Sequence, residues 1–299
     1  MAASQRITFA RINRRTPDQS ELTDRSFAMD FTALAESRQT KATQPALGPR
    51  PERTWVAADL NLVASHYMTG TLGYYEHQTL IDFDNDAWSW LKGSTMHTES
   101  GSDKTVVPFA IDLREDRRFI AFAPAPRLLA SQFASGLQRV LQSAVNREGT
   151  MAANWEVDLI TFAEDVESWI NLHPKVFFIR RTIKFTNPGR SLDSARSQMR
   201  DLGSRRRTEV DAAPRNRILN TDSHTFRELL EGVETGDIDI LLKSRGEAVG
   251  SEERFKSEDQ PSTTLVSRFQ SLRDGMDTAL EVLRSRFDEQ DPKLPNNGQ

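Results

Sequence analysis

Asp82, Asp84 and Asp86 alternate like the first ligands of an EF-hand calcium loop. Such a loop needs glycine at its sixth position to turn sharply and a bidentate glutamate at its twelfth. Those positions hold Ala87 and Gly93, so the three carboxylates read as solvated turn residues. Among His66, His77, His97, His173 and His224, no two stand four apart, the spacing that puts two imidazoles on one helix face. They read as structural or surface residues, although His66 and His77 flank the tyrosines Tyr67, Tyr74 and Tyr75. Three acid pairs are more suggestive: Glu156 with Asp158, Glu209 with Asp211, and Asp237 with Asp239. Acids two apart on a strand point to one face and could hold Mg²⁺ for attack on a phosphodiester, with a lysine to stabilise the water. No Glu-x-Lys follows any pair, and alternating acids are also the pattern of a solvated sheet face. A phosphate-binding loop, a dinucleotide fingerprint and a nucleophile elbow are all missing, and so is cysteine, which excludes a disulfide framework, a thiolate zinc site and a thiol nucleophile. No catalytic residue, metal ligand or cofactor is assigned.

The basic residues form the one concentrated feature. Residues 175–217 hold twelve Lys or Arg against four acids, a charge of +8 within a chain of net charge −4. Arg180 and Lys184 share one face of an expected strand, and Arg196 and Arg200 share one face of an expected helix. Arg205, Arg206, Arg207, Arg215 and Arg217 surround the next strand. Guanidinium grips phosphate with two donors at once, so these nine residues are the candidate track for duplex DNA. The competing reading balances them against the acidic stretch 222–259, with eleven acids and five bases, in a contact within the molecule. No zinc finger, basic zipper or RNA-recognition motif implies sequence-specific reading.

The elements that must position these residues read as α+β. The 299 residues suit two domains, 1–150 and 151–299, the first rich in strands and closed by a long helix. The start, MAASQRITFARINRR, lacks a secretory apolar core; its arginines and late first acid also fit a transit peptide, but the alternating Ile7 and Phe9 favour a strand. Aromatic-rich segments occupy 55–64, 72–83 and 87–91, and VVPFAIDLREDRRFIAF over 105–123 reads as a β-hairpin. A helix follows from Pro126 to Gly149, with Leu129, Phe133, Leu137, Val140, Ala144 and Val145 as its apolar stripe. The second domain runs strand, helix, strand to residue 185, then a helix over 192–204, strands at 208–212 and 217–220, a helix over 225–234 and a strand over 238–242. Residues 244–262 read as an exposed loop or hairpin. The chain then closes on an amphipathic helix over 263–287, whose Leu265, Phe269, Leu272, Met276, Leu280, Leu283 and Phe287 form one seam. That seam docks on its own domain or pairs two copies into a homodimer through 265–287. No apolar run reaches the ~18 residues of a membrane span, which fits a cytoplasmic protein.

The order of these pieces over 100–290, with VVPFAIDLREDRRFIAFAP, WEVDLITF and VFFIRRTIKFTNP leading to a basic helix and a long final helix, resembles the RexA-like phage-exclusion proteins and uncharacterised prophage and bacterial defence proteins. The resemblance implies a two-domain, dimeric DNA-binding protein acting in phage (antiviral) defence with a protein partner. The sequence reading is thus a non-catalytic, sequence-tolerant DNA-binding protein. An interaction subunit that binds only proteins is the alternative, and a metal-dependent nuclease is the third.

Overall fold

The computed structural model describes residues 4–15, 27–37, 40–45, 47, 52–64, 66–76, 83–84, 86, 88–90, 105–145, 154–184, 197–199, 201–204, 206–246, 248 and 251–288. The order is β1 (Ser4–Arg15), α1 (Phe27–Ser37), β2 (Lys41–Gln44), β3 (Arg53–Val63), β4 (Tyr67–Glu76), β5 (Phe83–Asp84), β6 (Ser89–Trp90), β7 (Val106–Asp112) and β8 (Phe119–Phe122). Then come α2 (Ala130–Val145), β9 (Asn154–Leu159), α3 (Ala163–Leu172), β10 (Val176–Lys184), β11 (Arg206–Ala212), α4 (His224–Glu234), β12 (Ile238–Arg245), β13 (Glu252–Lys256), β14 (Thr263–Ser267) and α5 (Leu272–Phe287). The fold is α+β. An eight-stranded sheet has the order β14-β1-β8-β7-β4-β3-β2 with β9 also on β1, and a second sheet has the order β11-β10-β12-β13. No helix among the described residues is long and apolar enough to cross a membrane.

The chain forms two compact units, but a single cut near residue 150 does not separate them. One unit is Met1–Thr8, Leu22–Val157 and Thr263–Gln299; the other is Phe9–Glu21 and Asp158–Ser262. The end of the chain belongs with its start because β14 pairs antiparallel with β1, Thr263 opposite Thr8 and Ser267 opposite Ser4.

In the first unit, the expected hairpin is β7 and β8, with every residue of β7 buried. The aromatic cluster is core: Trp55 faces Tyr74 across β3 and β4 with ring centroids 5.0 Å apart, and both are at least 95% buried. Helix α2 begins at Ala130 rather than Pro126, and Leu129, expected on its apolar stripe, is exposed. Phe133, Leu137, Val140 and Ala144 are buried as the periodicity requires, while the side chain of Val145 lies outside the described residues. Phe133 stacks on Phe122 at 3.9 Å.

The closing helix is shorter than the seam suggests. Residues 263–267 are strand β14, and Leu265 is exposed there rather than on a helix. Ser271 caps α5 by accepting from the Asp274 amide at 3.1 Å. Met276, Ala279, Leu280 and Leu283 are buried, and the helix packs on β4, β7 and β8. The middle of the seam, Met276, Leu280 and Leu283, is thus buried within the chain.

Candidate nucleic-acid interface

The second unit is built on the four-stranded sheet. Alternation along β12 sends Ile238, Ile240 and Leu242 to one face, where they meet Ile179 and Ile183 of β10 and Phe255 of β13. Val166 and Ile170 of α3 and Phe226, Leu229, Leu230 and Val233 of α4 cover this face, and Met199 and Leu219 join them. Ser223 caps α4 by accepting from the Phe226 amide at 3.3 Å. Gly236 ends the helix region at φ +76°, a conformation glycine adopts without strain, and the next amide, Asp237, returns to the Gly232 carbonyl at 2.9 Å. The expected strand at 217–220 does not form. A single bond from the Leu219 amide to the Val176 carbonyl, 2.8 Å, ties that segment to β10.

The opposite face of the sheet carries the polar residues. The registers place Arg180 between Val210 of β11 and Leu241 of β12, and Phe178 between Ala212 and Lys243. Lys243 in turn stands opposite Arg254 of β13, and its ammonium lies 5.3 Å from the Phe178 ring centre. Arg180, Arg206, Val210 and Arg254 are exposed. Arg215 and Arg217 are exposed on the turn after β11. The Arg217 carbonyl accepts from Arg245 at 3.1 Å, which ties this turn to β12.

The structure divides the nine sequence-predicted cations. Arg180, Arg206, Arg215 and Arg217 face solvent, with no carboxylate partner among the described residues. Arg207 is drawn onto Glu209, with Nε 2.8 Å from the carboxylate, on the helix-covered side, where Arg181 also binds Glu209. Arg196, Arg200 and Arg205 lie outside the described residues.

Lys184 is a correction. It is 3% exposed, and its ammonium lies 3.1 Å from Asp158 and 2.9 Å from Asp239. Burial alone would lower its pKa, but the two carboxylates reverse this and raise it above the ordinary lysine value. Burial also pushes Asp239 up to about 6, although Lys184 pulls it down. Asn13 completes the cluster with a bond to Asp158 at 3.0 Å. A buried lysine clamped between two carboxylates is an internal ion cluster rather than a phosphate ligand at the surface.

The other acids are similarly engaged. Asp237 is 2% exposed and lies 3.2 Å from Arg11. Glu252 meets Lys243 at 3.3 Å and Arg254 at 3.4 Å, and Lys256 lies 2.9 Å from Glu258 and 3.2 Å from Asp259. Among the described residues no three His, Asp or Glu side chains are grouped to hold a metal ion. The Asp82–Asp86 segment is described only in part, and within it Phe83–Asp84 pairs with Ser89–Trp90. His66 packs on Tyr67 at 4.5 Å, His173 stacks on Trp169 at 4.6 Å, and His224 lies on the surface beside Glu228; His77 and His97 lie outside the described residues.

Sequence reasoning missed a cluster in the first unit. The Tyr67 hydroxyl donates to Asp288, Arg114 donates to that hydroxyl at 2.8 Å, and Arg117 reaches Asp288 at 3.0 Å. Arg114 also grips the fully buried Asp112, with Nε 2.8 Å away. Burial and these acids hold the Tyr67 hydroxyl well above its ordinary pKa, which suits a fixed donor rather than a nucleophile. The Arg114–Arg117 turn was legible as a turn, but its partner beyond the end of α5 was not. Compared with protein-family models and with curated protein sequences, the chain matches none.

Proposed function

We propose that this chain binds DNA through the open face of its four-stranded sheet, gripping phosphates with little regard to sequence. One observation carries the reading: Arg180, Arg206, Arg215 and Arg217 stay exposed and unpaired among the described residues, while described acids of 222–259 pair with other cations. The competing reading needs those acids to neutralise the basic segment. Among the described residues, their partners are Arg11, Lys243, Arg254 and Lys256, all outside the basic segment, and within it the buried Lys184, so the exposed arginines are not the cations these acids neutralise. A sheet face that mixes arginine with a half-buried Phe178 suits a strand laid across it, with bases against apolar side chains and phosphates on guanidinium. A place in phage exclusion, with a protein partner, is what the sequence resemblance adds to this surface.

Fluorescence anisotropy with labelled single-stranded and duplex oligonucleotides of unrelated sequence tests the proposal. Binding falls steeply with salt, and replacing Arg180, Arg206, Arg215 and Arg217 by alanine weakens it for all sequences alike. Each phosphate that the variant no longer neutralises lowers the salt slope by about 1. Absence of binding at low salt, or an unchanged slope in the variant, refutes the reading. A variant that fails to bind DNA must also fail to exclude phage if the defence role holds.

A further inference from the structure

Five strands bound the two larger sheets: β14, β2 and β9, which pairs only with β1, in one, and β11 and β13 in the other; of these β9 (NWEVDL) carries Glu156 and Asp158. An open edge invites another strand unless charge, proline or brevity blunts it. β11 (RRTEVDA) and β13 (EERFK) are heavily charged, and β2 (KATQ) is a four-residue strand that begins with lysine. β14 (TTLVS) has neither charge nor proline, and Thr263, Thr264 and Val266 are β-branched. Leu265 at its centre is 67% exposed. One side of the strand pairs with β1, and nothing among the described residues pairs with the other. A groove of about 890 Å³ runs along it, between Leu265, Val266 and Phe269 and the Thr278, Glu281 and Val282 face of α5.

We infer that the β14 edge pairs with the β14 edge of a second copy of this chain, antiparallel about a two-fold axis at Leu265. The strand is complementary to itself in that register. Thr263 stands opposite Ser267, two hydroxyl side chains, Thr264 opposite Val266, two β-branched ones, and Leu265 opposite Leu265, and no like charges oppose. An extended peptide from another protein would use the same backbone bonds, but no charge on β14 selects one.

Sedimentation velocity of the full chain over a wide concentration range gives a dimer on this inference. Leu265→Lys puts two ammonium groups on the axis and weakens the dimer at least about tenfold, whereas Leu172→Lys, at a 77% exposed position on α3, leaves it unchanged. Should Leu265→Lys fail to fold, Leu265→Cys decides, because the chain has no cysteine of its own. Facing residues of antiparallel strands have Cα atoms about 4.5–5.5 Å apart, within disulfide reach. Mild oxidation then links Leu265→Cys into a covalent dimer and leaves Leu172→Cys largely unlinked. A monomeric parent, a dimer indifferent to Leu265→Lys, linkage no faster than that of the control, or a monomer that takes up an extended peptide on β14 overturns the inference.

Discussion

Replacing Lys184 by methionine separates its two readings, internal ion partner and DNA ligand. The variant keeps the length of the side chain but leaves Asp158 and Asp239 facing each other without the ammonium that now lies 3.1 and 2.9 Å from them. Breaking a buried ion pair from one side costs about 3–5 kcal/mol, because the remaining charge is left uncompensated. The cost depends on pH in a definite direction. Asp239 sits at about 6 in the fold against an ordinary 3.8, so the folded chain takes up this proton more readily than the unfolded one, and stability falls as pH rises between those values. Without Lys184 the carboxyl moves higher still, since Lys184 is what pulls it down. The loss should therefore be full near pH ~8 and smaller by about 1–2 kcal/mol near pH ~5, where the pair can share a proton. Amide hydrogen exchange of β10 and β12 measures this within the second unit, free of the first. A loss below about 1 kcal/mol, or one independent of pH, refutes the buried-cluster argument. A variant of unchanged stability with weakened DNA affinity would return Lys184 to the phosphate track.

Two further perturbations test the first unit. A Cβ on Gly136 would lie 2.3 Å from the Trp55 ring, so Gly136→Ala lowers the melting temperature: overpacking costs about 1–3 kcal/mol and outweighs the roughly 1 kcal/mol that alanine gains as a helix former. A rise in melting temperature would show that the helix has room to shift. Asp288 is held below its usual pKa, since bonds from Tyr67 and Arg114 outweigh the burial that would raise it. Its stabilisation is therefore present above the ordinary value of 3.8 and fades as pH falls through the lower folded value. Asp288→Asn costs about 1 kcal/mol in urea unfolding at neutral pH, a figure kept small because part of the carboxylate meets water, and the difference closes in acid. A constant difference across that range contradicts the assignment.

The elements that were legible in the sequence have short-range causes. The β7–β8 hairpin followed from alternation around Arg114–Arg117, and β9, α3 and β10 followed from a change of period within one stretch of chain. The face that Arg180 takes was legible too, because Ile179 and Ile183 turn the other face of the strand to the core. The limit of α5 was written locally but overridden: Leu265 and Phe269 continue a helical spacing by coincidence, while the β-branched TTLV and the cap Ser271-Leu-Arg-Asp274 mark the true boundary.

Alternation in the sequence settles which residues of a strand share a face; what lies across that face depends on chain far away. Arg180 and Lys184 have the same place in the period of β10. One is in water and the other is sealed between Asp158 and Asp239, acids contributed by two other strands. The division into units has the same origin. Pairing of β14 with β1 joins the two ends of the chain, and no local signal in either strand names its partner. Composition and periodicity were therefore enough to establish an α+β chain with a concentrated basic segment. Only the tertiary structure decided which of those cations are free, because a charge is neutralised by neighbours in space rather than in sequence.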